Sequence, residues 1–78
     1  MKAKLPTLTD PERAFCERTL TKAQLAGVKV EHLDTPLGHS VEWLLPNGQI
    51  VGGSIQRSKE FALFSACKAL LPHIFEYV

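Results

Sequence analysis

The sequence has little charge imbalance, few cysteines and no long apolar run, and each shortage counts against a class of protein. The formal net charge is only +1 and the pI is about 7.8, whereas dedicated nucleic-acid-binding domains usually have a pI above roughly 9. No stretch approaches the roughly 20 apolar residues of a membrane-spanning helix, and the first residues lack the apolar segment of a signal peptide. We therefore expect a cytoplasmic protein that does not bind membranes, with any phosphate binding confined to a local patch.

The two cysteines, Cys16 and Cys67, are too few for a disulfide framework. We interpret them as reduced thiols, with a single bridge as the alternative if the helices that carry them face each other. The chain has 78 residues, of which 45% are hydrophobic and 22% charged, a composition typical of one small globular domain. We expect a flexible lead-in over residues 1–9 and a single domain over residues 10–78.

Helix signals stand near both ends of the chain. Asp10 followed by Pro11 predicts the start of a helix over about residues 11–26, with Asp10 as N-cap and Gly27 as the stop. Ser58 is a suitable N-cap for a second helix, and Pro72 is expected to end or kink it. That second helix carries a stripe of small and apolar residues at helical spacing, which we expect to face a sheet: Ala62, Ala66, Ala69 and Leu70.

The segment between the helices has the alternation of β-strands. Residues 28–31 alternate, residues 34–38 have the composition of a loop, and Trp43 lies at a core position of a second alternating run. Asn47-Gly48 is a strong hairpin signal before a third strand, which Gly52-Gly53 would end in a bulge or a sharp exit. The sequence thus predicts an α+β domain of order α-β-β-β-α, with a three-stranded antiparallel sheet and both helices on one face.

Motif spacing over residues 11–71 resembles the double-stranded RNA-binding domain. Gly48 and Gly52 have the spacing of that family's glycines, Arg57-Ser58-Lys59 stands where its link and Ser-Lys pair belong, and residues 36–39 resemble its Gly-Pro-x-His loop with one residue extra. Pro11, Phe15 and Glu17 are spaced like the family's first helix, and Ala62, Ala66 and Lys68 continue the match in the last one.

The resemblance implies an RNA-binding surface that reads shape rather than sequence. In that family, lysines at the start of the last helix hold phosphates, while the first helix and the first hairpin touch the flanking minor grooves. The second and third lysine positions are Glu60 and Leu63 here, so the resemblance implies weakened binding. The residues expected to contact RNA are Lys59, Arg57, His39, Glu17 and Gln56.

The last helix also has an apolar flank beside its small-residue stripe. If the helices pack as in the family, four side chains there would lie outside the core and would form an interface with another protein; they are Leu63, Phe64, Cys67 and Leu71. The alternative is that the C-terminal turn folds back over this flank with Ile74, Phe75 and Tyr77.

Catalytic signals are lacking. His32, His39 and His73 have no metal-ligand spacing with cysteines or acids, and there is no phosphate loop or nucleophile elbow. We therefore expect neither an enzyme nor a cofactor. Two functions stand side by side: a module that binds double-stranded or structured RNA, and a protein-interaction module that acts as a homodimer, an adaptor or an inhibitor.

Overall fold

A computed structural model describes residues 7–74, and this part of the chain forms a helix, three antiparallel strands and a helix. The elements are α1 (Asp10–Leu25), β1 (Lys29–Thr35), β2 (Gly38–Leu44), β3 (Ile50–Gly52) and α2 (Lys59–Ile74). The strands form one open sheet in the order β1-β2-β3, and both pairings are antiparallel. The predicted α+β class and the α-β-β-β-α order are confirmed.

A capping box begins α1 one residue earlier than the sequence suggested. The backbone N–H of Glu12 donates to Thr9 Oγ1 (3.4 Å), and the backbone N–H of Thr9 donates to Glu12 Oε1 (2.8 Å). Two of the N–H groups that a helix start leaves without partners are satisfied in this way. The prediction of Asp10 as N-cap is therefore wrong: Thr9 caps the helix, and Asp10 is its first residue.

Leu8 changes the boundary of the domain. Its side chain is only 6% exposed and belongs to the core, and its backbone N–H donates to the carboxylate of Glu60 (3.3 Å). The prediction that residues 1–9 form a flexible lead-in is thus wrong at this residue, while residues 1–6 lie outside the described part. Residues 75–78, which carry two members of the C-terminal turn considered above, also lie outside it.

A two-residue turn at Pro36 and Leu37 joins β1 to β2, where a five-residue loop was expected. Thr35 closes this turn with its hydroxyl, which donates to the carbonyl of Gly38 (3.0 Å) and accepts from the N–H of Leu37 (3.2 Å). Gly38 has a φ of +145°, and a Cβ there would lie 2.5 Å from the carbonyl oxygen of Gln56. The turn is therefore pressed closely against the segment that follows β3.

That segment contains a β-bulge. Gly52 pairs with Glu42, and the next pair is Gln56 with His39, so three residues on one strand face two on β2. One extra residue of this kind bends a strand and ends regular pairing. The bulge follows Gly52, as the two consecutive glycines suggested, and it directs the chain into α2.

The core lies between the sheet and α2. Trp43 is buried at the centre of β2, and its indole Nε1 donates to the backbone carbonyl of Ala66 in α2 (2.8 Å). α1 packs chiefly on α2 rather than on the strands. α2 continues through Pro72 to Ile74, so this proline does not end the helix. The predicted stripe packs inward, with Ala62, Ala66 and Leu70 fully buried and Ala69 partly buried.

Gly53 lets α2 approach the sheet. A Cβ at this position would lie 2.6 Å from the backbone nitrogen of Ala66, whereas one at Gly52 would meet only Glu42 Cγ at 3.5 Å. We expect Gly53→Ala to lower the free energy of unfolding by about 1–3 kcal/mol, because the helix must move away. The matched control Gly52→Ala should change it by less than about 1 kcal/mol. Urea denaturation measures both values, and equal losses in the two variants would contradict this packing.

Candidate nucleic-acid interface

A shallow cleft of about 100 Å³ lies where β1, β2 and the first turn of α2 meet. It exists because α2 packs on β2 and β3, which leaves the helix-facing side of β1 largely uncovered. Residues 32 and 34 of β1 point to that side, opposite residues 41 and 39 of β2. The cleft is lined by His32, Leu33, Asp34, His39, Ser40, Val41, Lys59 and Ala62.

His39 and Asp34 form a close pair at the rim of this cleft. They face each other directly in the β1–β2 register, and the His39 Nδ1 to Asp34 Oδ1 distance is 2.7 Å. The hydrogen bond with His39, together with the nearby charges of Lys59 and His32, lowers the pKa of the Asp34 carboxyl below its ordinary value. This carboxylate therefore stays ionised and acts as an acceptor at neutral pH.

The segment after the bulge holds Gln56 against the same rim. Its backbone N–H donates to the carbonyl of His39 (2.8 Å), and its carbonyl accepts from the N–H of His39 (2.6 Å). The Gln56 side-chain amide donates to the hydroxyl of Ser54 (2.6 Å), which lies 2.9 Å from the hydroxyl of Ser65 in α2. Hydrogen bonds thus hold the segment between β3 and α2 to both the sheet and the helix.

The start of α2 adds positive charge to this rim. The hydroxyl of Ser58 accepts the N–H of Glu60 (3.2 Å), as expected for the predicted cap. Lys59 is exposed at the first helical position and lines the cleft, and Arg57 is exposed one residue before the cap. Of the five residues predicted to contact RNA, the fold thus gathers four on one rim: His39, Gln56, Arg57 and Lys59.

Glu60 is turned away from this rim. Its carboxylate accepts from the backbone N–H of Leu8 and from Nη2 of Arg13, each at 3.3 Å. Glu60 stands at a lysine position of the RNA-binding family, but its carboxylate does not point to the rim where a phosphate would be bound. Glu60 instead holds the chain before α1 to the start of α2.

Glu17 is separated from the other predicted RNA ligands. It is exposed on α1 and borders a groove between the two helices, where Glu60 and Leu63 also lie. This groove is on the α1 side of α2, whereas the cleft with His39 and Lys59 is on the sheet side. The structure therefore does not bring Glu17 into the candidate site.

The predicted apolar flank of α2 is covered by α1. Cys67 is fully buried, and the rings of Phe64 and Phe15 meet edge to face with centroids 5.8 Å apart. Leu63 is half-buried against the core, and Leu71 is half-buried as well. The prediction that these four side chains form an exposed patch is wrong, because none of them is exposed and α1 packs on α2 at Phe64. Within residues 7–74, the large apolar side chains that are exposed lie elsewhere: Leu25, Val30, Leu37, Leu44, Ile50 and Ile55.

His32 and Asp34 were not predicted as site residues. Their two-residue spacing puts them on one face of a strand, but the sequence composition assigned Asp34 to a loop. The turn consists only of residues 36 and 37, and this short length places Asp34 opposite His39. A sequence interpretation with this turn length would have paired the two residues. The length of the turn was thus the missing information.

The buried thiols provide a test of the helix packing. Burial raises the pKa of the Cys67 thiol to about 12 and also raises the pKa of Cys16. Because the thiolate is the reactive form, we expect iodoacetamide at about pH 8 to modify neither cysteine in the folded protein and both in denaturant. Mass spectrometry counts the adducts. Rapid modification of native Cys67 would show that α1 leaves the flank and would restore the interface hypothesis.

The Asp34–His39 pair provides a test of the cleft. NMR titration of the Asp34 side-chain carbon should give a pKa below the ordinary value of about 3.9, and His39→Ala should move it back up. Since the folded-state pKa is lowered, the pair stabilises the fold above the unfolded-state value, and this contribution is lost as the pH falls through the folded-state pKa. An Asp34 midpoint that is unchanged by His39→Ala would contradict the pairing.

Comparison with protein-family models, with curated proteins and with solved structures finds no match to this chain. Neither helix over residues 7–74 is both long and apolar enough to cross a membrane. In the same part of the chain, His, Cys, Asp and Glu side chains form no group of three that could hold a metal ion. The inference of function therefore rests on the chemistry of the cleft and its rim.

Proposed function

We propose that this protein is a non-enzymatic module that binds double-stranded or structured RNA weakly, through the sugar–phosphate backbone. The observation that carries the proposal is the β-bridge between His39 and Gln56, which joins the first hairpin to the start of α2. Because of it, Lys59 and His39 line the same cleft, and the exposed Arg57 directly follows the bridge residue Gln56. Ammonium and guanidinium groups donate hydrogen bonds to phosphate oxygens, and an imidazole nitrogen exchanges hydrogen bonds with ribose hydroxyls.

The small number of cations fits weak binding. The affinity of a protein for a nucleic acid duplex grows with the number of phosphates that its Lys and Arg neutralise. The rim offers Lys59 and Arg57, and the Asp34 carboxylate beside Lys59 offsets part of their charge. Glu60 weakens phosphate binding less than the sequence suggested, because its carboxylate forms an ion pair with Arg13.

The competing hypothesis, a protein interface on the α2 flank, loses its main support. An interface needs accessible apolar side chains at its centre, but Cys67 is fully buried and Phe64 packs on Phe15. The RNA hypothesis uses Lys59 and Arg57, which are exposed, and His39, which is partly exposed at the rim. It is therefore the one that the geometry favours.

Lys59→Ala tests the proposal. With a duplex RNA of about 16 base pairs, we expect this variant to bind about five- to tenfold more weakly at about 0.1 M salt. The slope of log affinity against log salt should fall by about 1, because one phosphate contact is lost. Removing a cation from a helix start also removes an unfavourable interaction with the macrodipole, so thermal stability should not decrease. Fluorescence anisotropy gives the affinities, and circular dichroism gives the melting temperature.

Lys22→Ala is the matched control. Lys22 is an exposed lysine in the last turn of α1, outside the cleft and its rim, so its removal should change the affinity by less than about twofold. Equal losses in the two variants, or equal binding of a DNA duplex of the same length, would contradict the proposed function.

A further inference from the structure

Four charged or titratable side chains from three elements meet in the cleft. His32 and Asp34 come from β1, His39 from β2 and Lys59 from α2. Asp34 faces His39 directly in the register, and His32 lies two residues away on the same face of β1. Two imidazoles therefore lie beside one ammonium and one carboxylate in a space of about 100 Å³, which is large enough for one phosphate group.

The bond to Asp34 determines what His39 can offer a ligand. An ionised carboxylate only accepts hydrogen bonds, so Nδ1 of His39 must carry the proton in the 2.7 Å contact. In the neutral ring the other nitrogen, Nε2, then has only a lone pair, which repels a phosphate oxygen. When the ring takes up a proton, Nε2 becomes a donor and the ring becomes a cation. His39 is thus converted from a poor phosphate ligand into a good one by a single proton.

Protonation of the imidazoles also makes the net charge of the cleft more positive, which favours a phosphate. With both imidazoles neutral, the positive charge of Lys59 and the negative charge of Asp34 cancel. Each imidazole that is protonated then adds one positive charge, and histidine side chains ordinarily gain their proton between pH 8 and 5. Arg57 follows Gln56, the bridge partner of His39, and its guanidinium is positive throughout this pH range. Glu60 is engaged with Arg13 on the far side of α2.

We propose that this cleft is a proton-dependent phosphate site, in which Lys59 and His39 hold one phosphate of the RNA backbone and His32 adds charge beside it. Asp34 acts as a positioning residue, since it fixes the tautomer and orientation of His39. This inference rests on the proposed RNA binding and adds its regulation: the protein binds duplex RNA more tightly as the pH falls from slightly alkaline to slightly acidic.

The test compares RNA affinity at two pH values and constant ionic strength. A fully paired RNA duplex of about 16 base pairs is titrated by fluorescence anisotropy at about pH 7.8 and about pH 5.8, in buffers without phosphate. We expect the RNA affinity of the wild-type protein to be at least about fivefold higher at the lower pH. His39→Asn keeps a side-chain donor for Asp34 but cannot gain a proton, so most of this ratio should be lost. His73→Asn, at the other end of α2, is the matched control and should keep the full ratio.

Calorimetry provides a readout that a merely structural role of His39 would not change. If RNA binding takes up protons, the binding enthalpy at about pH 6.5 depends on the ionisation enthalpy of the buffer. This dependence should be present in wild type and in His73→Asn, and reduced in His39→Asn. The melting temperatures of the three proteins show whether each variant is folded.

The outcomes separate the site from the function. RNA binding that is equally strong at both pH values overturns the proton-dependent site and leaves the proposed function standing. A pH dependence that survives in both His39→Asn and His32→Asn places the protons elsewhere and also overturns the site. Absence of duplex binding at both pH values overturns the function and this inference together. Inorganic phosphate is titrated alone as a further arm, and its binding without duplex binding would overturn the assignment to RNA.

Discussion

The docking of α2 on the central strand is the interaction on which the rest of this structure depends. The indole of Trp43 is buried and donates to the Ala66 carbonyl at 2.8 Å, in a contact that allows little sliding of the helix along the strand. Ala62 and Ala66 have no side chain beyond Cβ, and Gly53 has none at all, so the helix backbone comes close to the sheet. Small residues at these positions are the reason why Trp43 can reach a helix carbonyl.

The same docking creates the candidate site. With α2 placed over β2 and β3, β1 is left without a helix on the face that carries His32 and Asp34. The bulge after Gly52 and the bridge from Gln56 to His39 then direct the first turn of α2 toward that uncovered face. A lysine at helix position one is unfavourable in isolation. Here the lysine lies beside the Asp34 carboxylate and the His39 imidazole, in a cleft large enough for one phosphate group.

The sequence predicted the architecture because its signals are local. The hairpin at Asn47-Gly48, the alternation around Trp43 and the cap at Ser58 each depend on a few neighbouring residues, and all three were correct. The cap of α1 was misplaced by one residue, since both Thr9 and Asp10 are good N-cap residues. The choice between them depends on the reciprocal bond with Glu12.

The candidate site was only partly predictable, because it depends on contacts between distant segments. Of the five residues predicted to contact RNA, the fold brings four to one rim and leaves Glu17 on the other side of α2; the four are His39, Gln56, Arg57 and Lys59. Asp34 and His32 were missed because the register of β1 and β2 depends on the length of the turn between them, and the sequence suggested a longer loop.

The α2 flank was misjudged for a related reason. Its apolar side chains were interpreted as accessible, but α1 packs on α2 rather than on the strands. Helical periodicity shows which residues share a face and does not show which neighbour covers that face. The packing partner of Phe64 is Phe15, from a segment 49 residues earlier in the chain.

We propose that this protein contacts RNA at the rim around His39 and Lys59. The most direct measurement is a set of amide ¹H–¹⁵N spectra recorded while duplex RNA is added to labelled protein. We predict that the largest shifts occur at His39, Arg57 and Lys59 and that Phe64 on the covered flank is unaffected. Shifts confined to Leu44 and Ile50 on the open face of the sheet, or no shifts at all, would contradict the claim.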